Sequence, residues 1–175
     1  LKDSGLEITS SQLLISDRAT VLLPYHKVLD QAREAALSND KIGTTGKGIG
    51  PAYEDRAARK ALIMSDLFDQ ASLLSKLESA IKEKNVLLKN LYQLPELKAQ
   101  DIYNQITDVV DQLRPFRKSD TSLYISQKLK EGKKVLFEGA QGTLLDIHHG
   151  TYPFVTSSST LAGAGAVSAG IGPHH

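Results

Sequence analysis

The sequence predicts an α/β fold in which a helical block lies between short β-strands. Apolar residues recur at helical spacing through the middle of the chain, and brief, partly β-branched apolar runs stand before and after that block. The later run leads directly into a turn of small residues. Ligands of α/β sheets bind beyond the carboxyl ends of the strands, so we expect a site at such a turn.

Composition narrows the class of protein further. The chain has 175 residues, 21 Lys and Arg against 20 Asp and Glu, and a formal net charge of +1, a balance that argues against nucleic-acid binding. It contains no cysteine, which excludes disulfides, thiol catalysis and cysteine zinc sites and favours a cytoplasmic protein. No apolar run approaches the about 20 residues of a membrane-spanning helix.

The first elements are short. Two apolar runs, 13–16 and 20–23, predict two strands of a few residues each. Pro24 ends the second run and suits the first turn of a helix, and the apolar spacing over 25–37 predicts an amphipathic helix with Asp30 on its solvent side.

The middle of the chain is predicted to be helical and its end irregular. Further helical segments are predicted at 52–61, 65–88, 102–113 and 121–130. The apolar run 134–137 predicts a strand, and the Gly- and Ala-rich segment 162–172 is either a tightly packed helix or a glycine-rich loop.

The glycine-rich loop 43–48 has the groups that a phosphate needs. Its glycines allow close approach of the backbone, Thr44 and Thr45 add hydroxyl donors, and Lys47 adds a positive charge. The spacing is not that of the common P-loop, because Ile49 stands where that motif requires Lys. The alternative interpretation is a flexible connector between two helices.

Two arginines follow this loop. Arg56 and Arg59 are three residues apart, so on a helix they would share a face and could hold a phosphate or carboxylate. The alternative is a solvated face on which they pair with Glu54, Asp55 or Asp66.

Two candidate groups lie in the last part of the chain. Gln141 follows the predicted strand, and its amide suits the edge of a purine, although it could equally satisfy nearby backbone. The hydroxyl run 156–160 is either an anion cradle or a set of turns and caps. His148 and His149 are adjacent and would point in different directions, so we expect no metal site.

Taken together, these motifs resemble the adenylosuccinate synthetase family. The resemblance is carried by Gly-Thr-Thr-Gly-Lys-Gly-Ile-Gly-Pro-Ala-Tyr-Glu-Asp at 43–55, by Arg59, by 137–147 and by Gly-Thr-Tyr-Pro-Phe-Val-Thr-Ser-Ser at 150–158. It runs over essentially all of 1–175, which corresponds to the middle part of a family member.

The resemblance implies a fold and a division of the chain. It implies a fragment of a P-loop-NTPase-like parallel-sheet fold, here mostly a helical subdomain plus a few strands. The helical subdomain would span 24–131, and a strand with the substrate-site loops would span 132–175.

The resemblance also implies an activity for the parent protein. Members of the family are GTP- and Mg²⁺-dependent ligases that join IMP and L-aspartate to form adenylosuccinate in AMP biosynthesis, and they are cytoplasmic homodimers. The C6 oxygen of IMP is phosphorylated first, because phosphate is a better leaving group than an amide-like oxygen, and the aspartate amine then displaces it.

Site residues follow from the resemblance, position by position. Thr45 and Thr156 would lie near the 5′-phosphate of IMP, and Gln141 would contact the hypoxanthine ring. Arg59 would reach into the IMP site of the partner subunit, and Leu145 would lie beside the base.

Parts of the family pattern are missing or altered. The catalytic Asp with its glycine-rich nucleotide loop and the catalytic His are expected before Leu1, and the aspartate-binding arginines and guanine-specificity segment after His175. We therefore expect no catalytic residue or metal ligand in this chain, and no ligase activity from it alone. Arg56 stands where Lys is usual, and His148 where Asp is common.

A function of a different class fits the middle of the chain. The long run 65–130 has leucine-rich faces and no candidate site, which would suit a non-catalytic helical interaction module. IMP binding separates the two hypotheses. His174 and His175 either are native or remain from a purification tag.

Overall fold

The computed structural model describes residue 5, residues 7–38 and residues 41–172; His174 and His175 lie outside this part. Within it the chain forms six α-helices and two short strands. The helices are α1 Pro24–Ala36, α2 Ile49–Ala57, α3 Gln70–Asn90, α4 Ala99–Leu113, α5 Thr121–Lys130 and α6 Gly163–Ala169, and the strands are β1 Ile15–Ser16 and β2 Arg117–Lys118.

The sheet is parallel and small. β1 pairs with β2 so that Ile15 lies opposite Arg117. The pairing is reinforced by Asp17, whose carboxylate accepts two hydrogen bonds from the Arg117 guanidinium, at 2.7 and 3.0 Å. The α/β class is therefore confirmed.

The second predicted strand, 20–23, is wrong. Only Thr20 pairs, in a single bridge with Ile63. No further strand pairing follows within the described residues, because the Leu23 N–H is taken by the His26 ring at 2.9 Å and Pro24 begins α1. Leu22 stays half exposed as a result.

One hydrophobic core holds the helical part together. It is formed mainly by α1, α3 and α4, which contribute Leu29, Leu73, Leu77, Ile102 and Val110, all buried. These residues recur every three or four positions along their helices, so each helix turns one apolar face inward. Truncating a side chain of this core, as in Leu77→Ala, removes packed atoms and costs about 2–5 kcal/mol.

The predicted helices are confirmed with shifted ends. α2 begins at Ile49, before the predicted 52, and ends at Ala57 rather than Ala61. The predicted segment 65–88 consists of a 3₁₀ turn, Met64–Phe68, followed by α3. Of the two alternatives for 162–172, the helix is correct.

The predicted strand at 134–137 is wrong. This segment donates and accepts no backbone hydrogen bond within the described residues, and Leu136 is 89% exposed. An apolar run becomes a strand only when a neighbouring strand takes up its N–H and C=O groups, and within the described residues no strand pairs with this run.

Candidate functional site

The glycine-rich loop 43–48 is docked on α1 by Asp30. One carboxylate oxygen of Asp30 accepts the Thr44 hydroxyl at 3.0 Å, and the other accepts the Gly48 N–H at 2.8 Å. Asp30 is consequently 6% exposed, and its predicted place on the solvent side of α1 is wrong. The helical pattern does place it outward, but the loop folds back over it.

Gly48 joins this loop to α2 and cannot be replaced by a larger residue without a shift of the backbone. Its φ is +87°, a left-handed conformation, and a Cβ built on it would lie 2.6 Å from backbone atoms of His26 and Lys27. The loop is thus held at defined points on α1 rather than behaving as a loose connector. Thr45, between these points, is exposed, and its hydroxyl makes no hydrogen bond within the described residues.

A second buried carboxylate organises the later loops. Asp146 accepts the backbone N–H groups of His148 at 2.9 Å, His149 at 3.0 Å and Thr160 at 2.7 Å, and the Ser159 hydroxyl at 3.0 Å. Burial alone would raise the pKa of Asp146, but these donors outweigh it and hold the pKa well below its ordinary value. Asp146 thereby ties the turn 146–149 to the hydroxyl run.

Gln141 and Thr156 are placed by these loops. Thr156 is half-buried and donates its N–H to the Leu145 carbonyl at 2.9 Å. Gln141 is exposed and has a left-handed φ of +63°. It lines a cavity of about 640 Å³ whose other walls include Ile49, Tyr53, Ser158, Ser159 and Thr160.

The early and late loops meet at the start of α2. A Cβ on Gly50 would lie 3.2 Å from the Ser157 hydroxyl, and Thr44, Gly50 and Ser157 together line a second cavity, of about 750 Å³. This cavity shares Tyr53 with the one at Gln141. The structure thus brings together the segments that carry the candidate residues, with Gln141 in one cavity and the immediate neighbours of Thr45 and Thr156 in the other.

The two arginines are not a pair on one helix face, and this prediction is wrong. Arg56 lies in the last turn of α2, whereas Arg59 follows the helix in a left-handed conformation with φ of +62°. Arg59 lines a cavity of about 680 Å³ between the end of α2 and α3, which does not include Gln141.

In the alternative interpretation of the arginines, the solvent exposure is correct, but the ion pairs are wrong. The three acids proposed as their partners are occupied elsewhere: Glu54 pairs with Arg33 at 2.6 Å, Asp66 with Lys76 at 2.8 Å and Asp55 with Lys84 at 2.6 Å. Within the described residues, neither Arg56 nor Arg59 makes an ion pair.

A buried polar network attaches α2 to α1 and α3 through Asp55. The Asp55 carboxylate accepts from the Tyr25 hydroxyl at 2.9 Å and from Lys84 Nζ at 2.6 Å, and His26 Nε2 lies 3.1 Å away. His26 Nδ1 accepts the Leu23 N–H, so the neutral ring donates through Nε2. Burial raises the pKa of Asp55, but the hydrogen bonds from His26, Lys84 and Tyr25 prevail and lower it to about 2.

The same network acts on Tyr25 in the opposite direction. Burial, followed by the charge of Asp55 and its hydrogen bond, raises the pKa of the Tyr25 phenol far above its ordinary value. The phenol therefore stays protonated and serves as a donor. His26 has a structural role in the network, because Nδ1 accepts the Leu23 N–H and Nε2 lies 3.1 Å from the Asp55 carboxylate.

The described residues offer no ready metal site. No group of three or more His, Asp or Glu side chains in this part of the chain is arranged to hold a metal ion. The buried carboxylates Asp30, Asp55 and Asp146 already accept hydrogen bonds from protein donors. In the same part, no helix is both long and apolar enough to cross a bilayer.

Asp30 and Asp146 organise the site, and the sequence pattern did not predict this role for either residue. Both are single acids, and their burial depends on segments that return from elsewhere in the chain. The signal for Asp146 was its position beside Gly150 and the hydroxyl run; Asp30 carried no local signal, since its partners lie 14 and 18 residues away.

Comparison with known proteins gives a consistent result. The sequence model of the adenylosuccinate synthetase family matches residues 1–175. Among curated proteins, the chain is 63% identical over 173 residues to an adenylosuccinate synthetase of Bdellovibrio bacteriovorus and 48% identical over 173 residues to one of Clostridium botulinum strain 657. Each match covers 99% of this chain and 40% of the relative.

A solved structure is similar as well. The chain superposes on the structure of fully ligated adenylosuccinate synthetase from Plasmodium falciparum with a TM-score of 0.81 and 29% sequence identity. The superposition covers 98% of this chain and 40% of that one. The chain thus spans about two fifths of the length of the proteins that it matches.

Proposed function

Because this chain belongs to the adenylosuccinate synthetase family, we propose that the whole protein is the GTP- and Mg²⁺-dependent ligase that joins IMP and L-aspartate, and that this chain supplies much of its IMP site. The γ-phosphoryl group of GTP passes to the C6 oxygen of IMP. The amine of aspartate then forms the new C–N bond as inorganic phosphate leaves, giving adenylosuccinate, GDP and phosphate.

One observation carries the proposal: the glycine-rich loop and the hydroxyl run, more than 100 residues apart in sequence, converge at the N-terminus of α2. Hydroxyl and backbone N–H donors beside a helix N-terminus favour a phosphate. We assign the 5′-phosphate of IMP to the Thr45 and Thr156 hydroxyls. Thr45 is exposed and has no hydrogen bond of its own within the described residues, as a ligand-binding group should.

Gln141 is proposed to bind the hypoxanthine edge. Its amide both donates and accepts, which matches the ring N–H and carbonyl of that base. Its left-handed φ is uncommon for a residue with a side chain, and such backbone strain concentrates at ligand sites. Leu145, 42% exposed, is proposed to lie beside the base.

Arg59 is proposed to complete the IMP site of the partner subunit in a homodimer. It has no ion-pair partner within the described residues, and it lines a different cavity from Gln141. An arginine that serves a second copy of the chain would have both properties.

The Mg²⁺ and GTP ligands are assigned to other parts of the protein. The carboxylates buried in this chain are saturated by protein donors and do not suit a metal ion. Bound to the protein, Mg²⁺ would neutralise charge on the transferred phosphoryl group. A cytoplasmic location is part of the proposal and agrees with the absence of cysteine.

IMP binding tests the site. In the full-length protein, Thr45→Val and Thr156→Val should each raise the dissociation constant of IMP about tenfold, since each removes a hydrogen bond to a charged group. Thr107→Val is the matched control, because the Thr107 hydroxyl on α4 bonds only to the Asn104 carbonyl. Full-length protein that does not bind IMP would contradict the proposal, and so would a Thr107 variant as weak as the other two.

If Arg59 serves the IMP site of the partner subunit, two inactive variants should complement each other in a hybrid dimer. Arg59→Ala and Gln141→Ala dimers should each be nearly inactive, but a hybrid dimer contains one site with both residues intact. Random mixing of the two variants should therefore restore about a quarter of the parent activity. Mixtures no more active than the separate variants would show that Arg59 does not act across a dimer.

The chain alone should form no adenylosuccinate from IMP, aspartate, GTP and Mg²⁺, because the catalytic Asp and His are expected outside it. A non-catalytic helical interaction module, the alternative function, would leave even the full-length protein without IMP affinity. Product formation by the purified chain would refute the first expectation, and IMP binding by the full-length protein would refute the alternative.

A further inference from the structure

We propose that Asp30 is the positioning residue of the IMP phosphate loop: by accepting hydrogen bonds from Thr44 and Gly48, it leaves Thr45 as the hydroxyl that is available to the ligand. The inference rests on the proposed function. It adds a role for a residue on α1, outside the loops that are assigned to contact IMP.

Asp30 holds the loop through both of its carboxylate oxygens. Its two carboxylate oxygens take one donor each from opposite ends of the loop, the Thr44 hydroxyl at 3.0 Å and the Gly48 N–H at 2.8 Å. Both are hydrogen bonds to an ionised group, the stronger kind. Asp30 therefore fixes the loop at Thr44 and Gly48, and these two fixed points limit the conformations of the residues between them.

Thr44 transmits this constraint into the loop. Its hydroxyl donates to Asp30 and at the same time accepts the Gly46 N–H at 3.3 Å. Its hydrogen bonding is thus used within the protein. Thr45 is the next residue, and its hydroxyl makes no hydrogen bond within the described residues, although both threonines are exposed. The two neighbours therefore have different roles: Thr44 holds the loop, and Thr45 is available to a ligand.

Charge excludes the simplest alternative, that Asp30 itself contacts the phosphate. A carboxylate would repel the ligand, and both oxygens of Asp30 already accept from the loop. Asp30 is also 6% exposed. It can therefore aid IMP binding only by orienting the loop, so that less conformational freedom is lost when the ligand binds.

The hydrogen bond between Asp30 and Gly48 fixes the point at which the loop enters α2. Its N–H is held by Asp30 where the chain turns, with left-handed φ, into the first residues of α2. Ile49 and Gly50 follow directly and line the cavities near Gln141 and Ser157. A loop released from Asp30 would lose its alignment with both cavities.

The test is a mutant cycle on the full-length protein, read by calorimetric titration of IMP and by steady-state kinetics. Asp30→Ala should raise the IMP dissociation constant about 10- to 100-fold, while kcat and the KM for GTP change little. Thr44→Val should weaken IMP binding in the same way. The double variant should be little weaker than Asp30→Ala alone, because the Asp30–Thr44 hydrogen bond that Thr44→Val removes is already absent in Asp30→Ala.

Two controls separate positioning from loss of stability. Asp30→Asn retains an oxygen for the Gly48 N–H and should recover part of the affinity. Asp17→Asn removes the charge of another nearly buried carboxylate, which bonds to Arg117 of β2 and not to the loop, and should lower stability without changing the IMP dissociation constant.

The outcomes distinguish this inference from the proposed function. If the parent protein binds no IMP, the proposed function fails. If the parent binds IMP and Asp30→Ala binds within twofold of it, or if the effects of Asp30→Ala and Thr44→Val simply add, the positioning role of Asp30 is wrong and the proposed function stands.

Discussion

At the scale of single residues, backbone conformation coincides with candidate chemistry at two positions. Four described non-glycine residues have positive φ: Ser38, Arg59, Gln93 and Gln141. Two of them are candidate IMP ligands. Each left-handed residue with a side chain costs about 1 kcal/mol relative to glycine, and at Arg59 and Gln141 the proposed contacts with the ligand would compensate for that cost.

Arg59 offers the sharpest test, because its position is one that glycine would suit better. The N–H of Arg59 bonds to the Arg56 carbonyl and that of Lys60 to the Asp55 carbonyl, the pattern of a Schellman C-cap, in which the left-handed residue is usually glycine. In the full-length protein, Arg59→Gly should therefore raise the free energy of unfolding by about 1 kcal/mol while abolishing the proposed ligase activity. Urea denaturation and a steady-state assay measure the two effects.

Gln93→Gly is the control for this prediction. Gln93 also has left-handed φ, at +54°, but it lies after α3 and outside the candidate site. It should gain similar stability and keep full activity. An Arg59→Gly protein that remains active, or that is less stable than its parent, would contradict the assignment of this residue.

Gly48 and Gly43 allow the strain of left-handed φ to be separated from steric overlap. Both have φ above +80°, but a Cβ at Gly43 meets no atom within 4 Å, whereas at Gly48 it lies 2.6 Å from backbone. Gly43→Ala should cost about 1 kcal/mol, and Gly48→Ala about 2–4 kcal/mol because overlap is added. Equal losses in thermal or urea unfolding would show that the loop does not press against α1.

At the scale of elements, periodicity predicts helices well and strands poorly in this chain. The apolar faces of α1, α3 and α4 are local patterns, and each helix satisfies its own backbone, so the sequence suffices to predict them. The runs 20–23 and 134–137 have the composition of strands, but a strand depends on partners that the sequence pattern does not specify.

The network at Asp55 links three helices, since Tyr25 and His26 come from α1, Asp55 from α2 and Lys84 from α3. The folded-state pKa of Asp55 is about 2, below its unfolded value. Its stabilising contribution is therefore complete above about pH 4 and is lost as the pH falls through 2, a loss of about 2 kcal/mol.

This pH dependence should disappear when the carboxylate is removed. In urea unfolding between pH 7 and pH 2, Asp55→Asn should be less stable than the parent at pH 7 by about 3–5 kcal/mol, because Lys84 is left buried without its counter-ion. Its stability should then fall less steeply with acid. Asp111→Asn, at an exposed carboxylate paired with Arg114, is the control and should follow the parent curve.

At the scale of the whole molecule, the candidate site could be predicted only in part. The loop 43–48, Gln141 and the hydroxyl run carry local signals of glycine and hydroxyl content, so the sequence reveals them. Asp30 and Asp146 do not, because their roles arise where distant segments meet. The family resemblance supplied the roles of Arg59 and Thr156, which the residues alone left open.

Stability should be distributed unevenly over the molecule. The buried hydrophobic cluster lies wholly between Leu23 and Val110, whereas Leu136, Leu144, Tyr152 and Val167 are each more than 70% exposed. Amides of α3 and α4 should therefore exchange with deuterium slowly, and those of 134–141, which make no backbone hydrogen bond within the described residues, at least about 100-fold faster. Hydrogen exchange with mass spectrometry on the 175-residue chain measures this difference.

The same measurement on the full-length protein tests the predicted division between the helical subdomain 24–131 and the segment 132–175. We expect α3 and α4 to exchange at similar rates in both proteins, because their core is complete within this chain. We expect 134–137 to become protected only in the longer protein, where further strands would satisfy its backbone. Equal protection of 134–137 and α3 in the short chain would show that the last segment is as firmly folded as the helices and would remove the basis for treating the two parts separately.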